Sequence, residues 1–181
     1  MSRTLAIGDI HGCLTALLAL LDLVRPGEGD RLVTLGDYVD RGPDSRGVLD
    51  QLIALYDAGR LVPLRGNHDE MMALSREDRV ERRMWLRFGG VQTLESYGHR
   101  AADDVYDRVP QRHWDFLTQD LRNWHETEGH VFVHAIVRPD LPLEEQDADL
   151  LLWERQAQRP DRPPRQEISS AATPGKPAAA A

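Results

Sequence analysis

Three short apolar runs in the first third of the chain each lead into a polar segment opened by glycine. TLAI (4–7) precedes GDIHG (8–12), RLVTL (31–35) precedes GDYVDRG (36–42), and RLVPL (60–64) precedes, after one arginine, GNHDE (66–70). Between the runs lie two stretches with apolar residues at helical spacing. The first has Leu14, Leu17, Leu18 and Leu21 before a stop at Arg25 and Pro26; the second has Val48, Leu52, Leu55 and Tyr56 before Gly59. Strand, turn and helix therefore alternate, which predicts an α/β domain. In such folds the ligand crevice lies beyond the carboxyl ends of the strands, so the polar segments should converge in space.

The remainder of the chain is read more coarsely. Pro63 predicts incomplete pairing of the third strand, because proline has no N–H to donate. Residues 69 to about 122 read as mainly helical, with breaks at Gly89 and Gly90, at Gly98 and near Pro110. NWHETEGHVFVHA (123–135) reads as a hairpin turning at Glu128 and Gly129, its second strand running out at His134. A chain of 181 residues with 41% hydrophobic content predicts one domain, residues 1–155, with a sizeable core. From residue 156 onward periodicity gives way to Pro, Arg, Ser and Ala, and the tail 156–181 is expected to be disordered.

Bulk properties exclude several classes. No segment has the length and hydropathy of a secretory leader or a membrane span, so a soluble, cytoplasmic protein without a membrane partner is expected. The formal charge of −8 argues against nucleic acid as a partner, since phosphate contact needs a basic surface. Cys13 is the only cysteine, which excludes an internal disulfide and a Cys-rich zinc cluster; it is expected to be a small buried residue of the first helix.

The polar residues at the strand ends carry the chemistry. Asp9 and His11, Asp37 and Asp40, Asn67 and His68, and His134 would meet in one crevice, where carboxylates, imidazoles and a carboxamide would be electrostatically costly without cations. Asp and His are good ligands for Zn, Mn or Fe, and one Asp can bridge two cations about 3.5–4 Å apart. The glycines around Asp9 and His11 leave the backbone tight enough for both side chains to reach one ion. Taken singly, Asp37 and Asp40 serve equally well as turn caps, and Asn67 as the head of an Asx turn. Asp69 and Glu70 read as acids favoured at a helix N-terminus. His99, His113, His125 and His130 read as surface or packing residues, and Trp114, Trp124 and Trp153 as core; Trp85 sits in a segment able to overhang the crevice, so core and substrate platform both stay open for it.

GDIHG, GDYVDRG and GNHD, in this order, resemble the three signature segments of the calcineurin-like metallophosphoesterases, and in particular the phosphoprotein phosphatase group with its bacterial members. WLRFGGVQTLESYG (85–98) and DLLLWER (149–155) resemble the same bacterial branch, so the resemblance covers about residues 3 to 155. It implies two packed β-sheets flanked by helices, the metallophosphatase α/β/β/α sandwich, and two divalent metal ions, Mn first with Fe or Zn as alternatives. By position, Asp9 and His11 would hold the first metal, Asp37 would bridge, and Asn67 and His134 would hold the second. In that family a metal-bound hydroxide attacks phosphorus in line; His68 would protonate the leaving oxygen, oriented by Asp40, and Arg41 would hold the phosphate oxygens. A His beside a carboxylate is suited to the work of a general acid, and a planar guanidinium matches two phosphate oxygens at once.

The implied activity is metal-dependent phosphoester hydrolysis of the phosphoprotein serine/threonine phosphatase type, on a phosphoprotein or a small phosphoester. Two alternatives remain: a symmetrical diadenosine tetraphosphate hydrolase, whose relatives tend to have Asn in place of Asp40, and an inactive or weakly active remnant that binds metal or phosphate. The chain departs from the family pattern in two places. Relatives read HAG where this chain has His134-Ala135-Ile136, and the β-branched Ile136 is expected to press on the crevice. No histidine follows His134, so the second metal would have only Asp37, Asn67 and His134 from protein, and the final strands of the fold are expected to be missing. EISSAATPGKPA (167–178) permits codons that, read one base earlier, encode a strand followed by Gly-His-Thr; a frameshifted tail and a natural Pro/Ala-rich end are rival expectations.

Overall fold

A computed structural model of the protein describes residues 2–98 and 106–154; His99 and the tail from residue 156 lie outside the described residues. Strand β2 (Arg31–Thr34) lies between β1 (Thr4–Ile7) and β3 (Leu61–Pro63), all parallel, with Ala6 opposite Val33 and Val33 opposite Val62. Parallel neighbours require long crossovers, and these are the two predicted helices, α1 (Leu14–Val24) and α2 (Ser45–Asp57). Pro63 keeps its register with Thr34, and the Leu64 N–H makes the next bond to the Thr34 carbonyl at 2.8 Å.

Side chains alternate across the sheet, and this alternation builds two layers. Leu32 and Leu61 join the main core with Val48, Leu49, Leu52 and Ile53 of α2, whereas Val33, Val62 and Leu64 pack with Leu35 and Phe132 on the opposite face. Phe132 belongs to the expected hairpin, in which β4 (Trp124–Glu126) pairs antiparallel with β5 (Val131–Val133). Two sheets thus pack against each other and helices cover the outer face of the parallel one. The remaining α-helices among the described residues are α3 (Asn67–Ser75), α4 (Arg79–Trp85), α5 (Val91–Ser96), α6 (Gln111–Asp115) and α7 (Ala148–Trp153). The chain kinks at Gly89 between α4 and α5, turns at Gly98 and begins α6 after Pro110, the three predicted breaks. No helix among the described residues is long and apolar enough to cross a membrane.

Two single-residue expectations are corrected. Cys13 is exposed and precedes α1, its Sγ 3.4 Å from the His11 carbonyl, because the loop after β1 extends to that position before helical geometry starts. Trp153 is 45% exposed at the end of α7, its indole N–H donating to Glu70 Oε2 at 3.2 Å.

The loops after β2 and β3 are pressed together. A Cβ added to Gly66 would lie 2.2 Å from the amide nitrogen and from Oδ1 of Asp37, so no side chain fits between them. Gly66→Ala is expected to destabilise the protein by about 1–3 kcal/mol or more through this overlap; an unchanged denaturation midpoint would contradict the close approach.

His113 ties α6 to α2 inside the core. Its Nδ1 lies 2.7 Å from the Tyr97 hydroxyl and its Nε2 3.0 Å from Asp50 Oδ1, so a neutral ring that donates to Asp50 and accepts from Tyr97 meets both. Burial is the main cause that lowers the pKa of His113; Asp50 opposes the shift, and Arg46 and Arg112 add to it. With a folded pKa below the unfolded value of about 6.5, the unfolded chain takes up this proton first, so stability falls as pH drops through 6.5 at no more than about 1.4 kcal/mol per unit. The stability advantage of the wild type over His113→Gln should shrink between pH 7.5 and 5.5 in parallel denaturant titrations; a pH-independent difference would contradict it.

Candidate active site and metal centre

The predicted polar segments meet at the carboxyl ends of the parallel strands, on backbone that is strained. Five non-glycine residues among those described have positive φ, and four of them lie here: His11 (44°), Asp37 (56°), Asp40 (75°) and Arg41 (68°). Left-handed backbone costs an L-residue of order 1–2 kcal/mol, so neighbours must hold it. The Ile10 and His11 N–H groups donate to the Asp37 carbonyl at 3.0 and 2.8 Å, and the Gly12 N–H to the Tyr38 carbonyl at 2.8 Å. From the other side the fully buried Asp69 carboxylate accepts the N–H groups of Asp37 (2.8 Å), Tyr38 (2.9 Å) and Gly66 (2.9 Å). Asp69 is therefore a clip between two loops, beyond the helix-terminus acid read from sequence. Burial and the nearby Asp37 push its carboxyl pKa up, while the three N–H bonds pull it down. The Tyr38 phenol, buried against Thr34 and the Leu64 carbonyl, is pushed up by desolvation.

Asp37 occupies the middle of the site. His11 Nδ1 lies 2.9 Å from the Val39 carbonyl and His134 Nδ1 2.8 Å from the Leu35 carbonyl, so each ring donates there and turns an Nε2 lone pair inward. His11 Nε2 is 3.4 Å from Asp37 Oδ2 and 4.0 Å from Asp9 Oδ2. His134 Nε2 is 3.5 Å from Asp37 Oδ1 and 3.1 Å from Asn67 Oδ1. The two oxygens of one carboxylate thus face two imidazoles. Two overlapping clusters, His11–Asp37–His68 and Asp9–Asp37–His134, each bring their ligand atoms within 4.8 Å of one another. A nitrogen and oxygen donor set of this kind fits divalent cations of the Mn, Fe and Zn type.

His68 also bonds outward, to Asp40 and Arg41. His68 and Asp40 are buried, with His68 Nδ1 2.7 Å from Asp40 Oδ2. Arg41 spans two rings, Nη1 2.8 Å from His11 Nε2 and Nη2 2.8 Å from His68 Nε2. A guanidinium only donates, so both Nε2 atoms act as acceptors in this arrangement. The eight sequence-predicted residues are therefore adjacent, around a cleft of about 490 Å³ whose polar side carries Asp9, Asp37, Arg41, Asn67, His68 and His134. Ile136, 8% exposed, forms part of the apolar wall opposite, together with Phe88 and Trp153.

Two partners of Asp40 have no signal in the sequence. Trp85 does not overhang the cleft; it is fully buried beneath it, and its indole N–H reaches the Asp40 carboxylate. The Thr93 hydroxyl reaches the same group. Residue types alone carry no signal for either contact beyond their place in the 85–98 segment.

Residues 2–174 match the family model described as calcineurin-like phosphoesterase. The chain is 35% identical over 154 residues to serine/threonine-protein phosphatase 1 of Salmonella typhimurium, covering 83% of this chain and 67% of that one. It is 34% identical over 143 residues to a symmetrical bis(5'-nucleosyl)-tetraphosphatase of Nitrosomonas europaea, covering 78% and 47% respectively. The crystal structure of a candidate diadenosine tetraphosphatase superposes with a TM-score of 0.57 at 25% identity, covering 83% of this chain and 61% of that one. The chain spans about two thirds of the phosphatase and about half of the tetraphosphatase it matches. With its strand-end signature segments, its two packed sheets and these relatives, the chain belongs to the calcineurin-like phosphoesterase family.

Proposed function

We propose that this chain hydrolyses phosphoesters at a two-metal centre, with phosphoserine and phosphothreonine side chains of proteins as its substrate class. The observation that carries the reading is the position of Asp37, one oxygen toward His11 and the other toward His134, beside the His68–Asp40 pair. Asp9, His11 and Asp37 would hold one cation, and Asp37, Asn67 and His134 the other, with Mn as the proposed ion. Bound cations supply Lewis acidity, an activated water and neutralisation of the charge that builds on phosphoryl oxygens. The protein's own groups do the rest. Arg41 exchanges the two imidazoles for two phosphate oxygens, which its planar fork matches. Once Arg41 has left it, His68 Nε2 takes up a proton from solvent, and the resulting imidazolium, held at Nδ1 by the Asp40 carboxylate, gives that proton to the leaving oxygen.

The substrate class follows from what such a proton donor is worth. A serine or threonine side chain leaves as a strongly basic alkoxide and needs protonation; a nucleotide phosphate is a far better leaving group and gains less. A buried His–Asp pair aimed at the leaving oxygen therefore favours the phosphoprotein reading, and the similarity to the Salmonella phosphatase agrees with it. Similarity to the Nitrosomonas enzyme favours symmetrical dinucleoside tetraphosphate cleavage as a second reading.

The test is turnover of a phosphoserine peptide, p-nitrophenyl phosphate and diadenosine tetraphosphate by the chain, chelated and then supplied with Mn. The expected result is no turnover after chelation, recovery with Mn, and a kcat/KM at least about tenfold higher for the peptide than for the dinucleotide. Metal-independent turnover would contradict the metal centre, preference for the dinucleotide would contradict the substrate class, and metal binding without turnover would identify a remnant. His68→Asn should slow the peptide reaction by roughly two to four orders of magnitude. It should slow dinitrophenyl phosphate far less, and equal slowing of both would remove His68 from the acid role.

A further inference from the structure

The Asp40 carboxylate is fully buried and receives more than the imidazole. Trp85 Nε1 lies 2.9 Å from Oδ1 and 3.0 Å from Oδ2, and the Thr93 hydroxyl donates to Oδ1 at 2.8 Å. Thr93 Oγ1 also accepts the backbone N–H of Asp40 at 2.8 Å, so it grips both ends of the residue, and Ser45 Oγ stands 3.1 Å from the same N–H. Trp85 closes α4 and Thr93 lies in the first turn of α5, on either side of the kink at Gly89. That kink touches the same loop: the Arg41 N–H donates to the Gly89 carbonyl at 3.2 Å. A Cβ on Gly89 (φ +116°) would lie 2.9 Å from the Arg41 nitrogen and 3.2 Å from Asp40 Cβ. The segment 85–93 therefore grips residues 40 and 41 from one side, where the backbone of both is left-handed.

We infer that Trp85 and Thr93 are positioning residues that set the orientation of His68 through Asp40, so that the α4–α5 kink acts as a buttress for the proton-donating pair. The inference rests on the proposed role of His68. Its physical basis is that a carboxylate without water needs donors in fixed directions. His68 supplies one direction, and the remaining lone pairs are met by two uncharged donors from a single rigid segment. With those donors in place the carboxylate has one orientation, and the imidazole bonded to it has one as well. A buried indole N–H must find an acceptor, and here the acceptor is the buried carboxylate bonded to the His68 ring. A geometric error of about 1 Å at a reacting group costs up to about a hundredfold in rate, so a looser Asp40 is felt in turnover before it is felt in the fold.

Trp85→Phe keeps an aromatic ring and removes the N–H, Thr93→Val keeps the shape and removes the hydroxyl, and Thr93→Ser restores the hydroxyl alone. Two measurements decide. In chelated protein with 15N-labelled histidine, the His68 Nδ1 proton should resonate far downfield. It should move upfield or broaden in Trp85→Phe and Thr93→Val, and return in Thr93→Ser. With Mn, kcat on the phosphoserine peptide should fall about tenfold or more in the first two variants, with KM nearly unchanged. The loss on dinitrophenyl phosphate should be less than about threefold, and Thr93→Ser should recover most of the peptide activity. The inference is overturned if the His68 resonance is absent in wild type, if it stays in place in both variants while Asp40→Asn moves it, or if both esters lose rate equally. If Trp85→Phe fails to fold, the Thr93 pair decides alone. A wild type that binds metal without turning over any ester would sink the proposed function, and the resonance would then decide the positioning role by itself.

Discussion

The Asp69 carboxylate, which receives three backbone N–H groups from two loops, is the contact on which the site's geometry depends. Two of those groups belong to Asp37 and Tyr38 after β2, and the third to Gly66 after β3. Hydrogen bonds to a charged acceptor are worth about 1.5–3 kcal/mol each, which offsets the left-handed backbone at Asp37. The clip aims Asp37 as well as stabilising it. With its amide fixed by Asp69 and its Oδ1 accepting the His68 N–H at 3.0 Å, the Asp37 side chain has little choice of direction.

Around this clip the site is supported from two directions. His11 and His134 are oriented by carbonyls of the parallel strand and its loop, Val39 and Leu35, so the fold sets their tautomers without any further side chain. His68 and Arg41 are set from the helical side, through Asp40 and the kink at Gly89. The division follows from the layers. His11, Asp37 and His134 are held by the sheet and the loops at its strand ends, and His68 and Arg41 lean on the helices, so each set has support of its own.

Much of this was legible in the sequence because strand ends and helix starts are marked by glycine and by the switch in hydrophobic period. The strand-end segments placed Asp9, His11, Asp37, Asn67 and His68 in one crevice, and the hairpin around Glu128 and Gly129 delivered His134 to it. Other features were not legible. A helix N-terminus accounts for an acid at position 69 through its dipole, and nothing in the pattern says which three N–H groups it meets. Trp85 fits any core, since periodicity reports the burial of a ring and not the direction of its N–H. Cys13 directly precedes a leucine-rich helix, but the loop carrying His11 ends on it and leaves it exposed. The left-handed backbone of Arg41 has no sequence signature, because arginine, unlike Asp, gains no local hydrogen bond from that conformation.

The central claim is that Asp37 joins two cations, and anomalous scattering from crystals of this chain grown with Mn tests it most directly. The account predicts two Mn peaks about 3.5–4 Å apart, one Asp37 oxygen on each, with His11 on one ion and Asn67 and His134 on the other. A single ion, or a pair that Asp37 does not bridge, would contradict it.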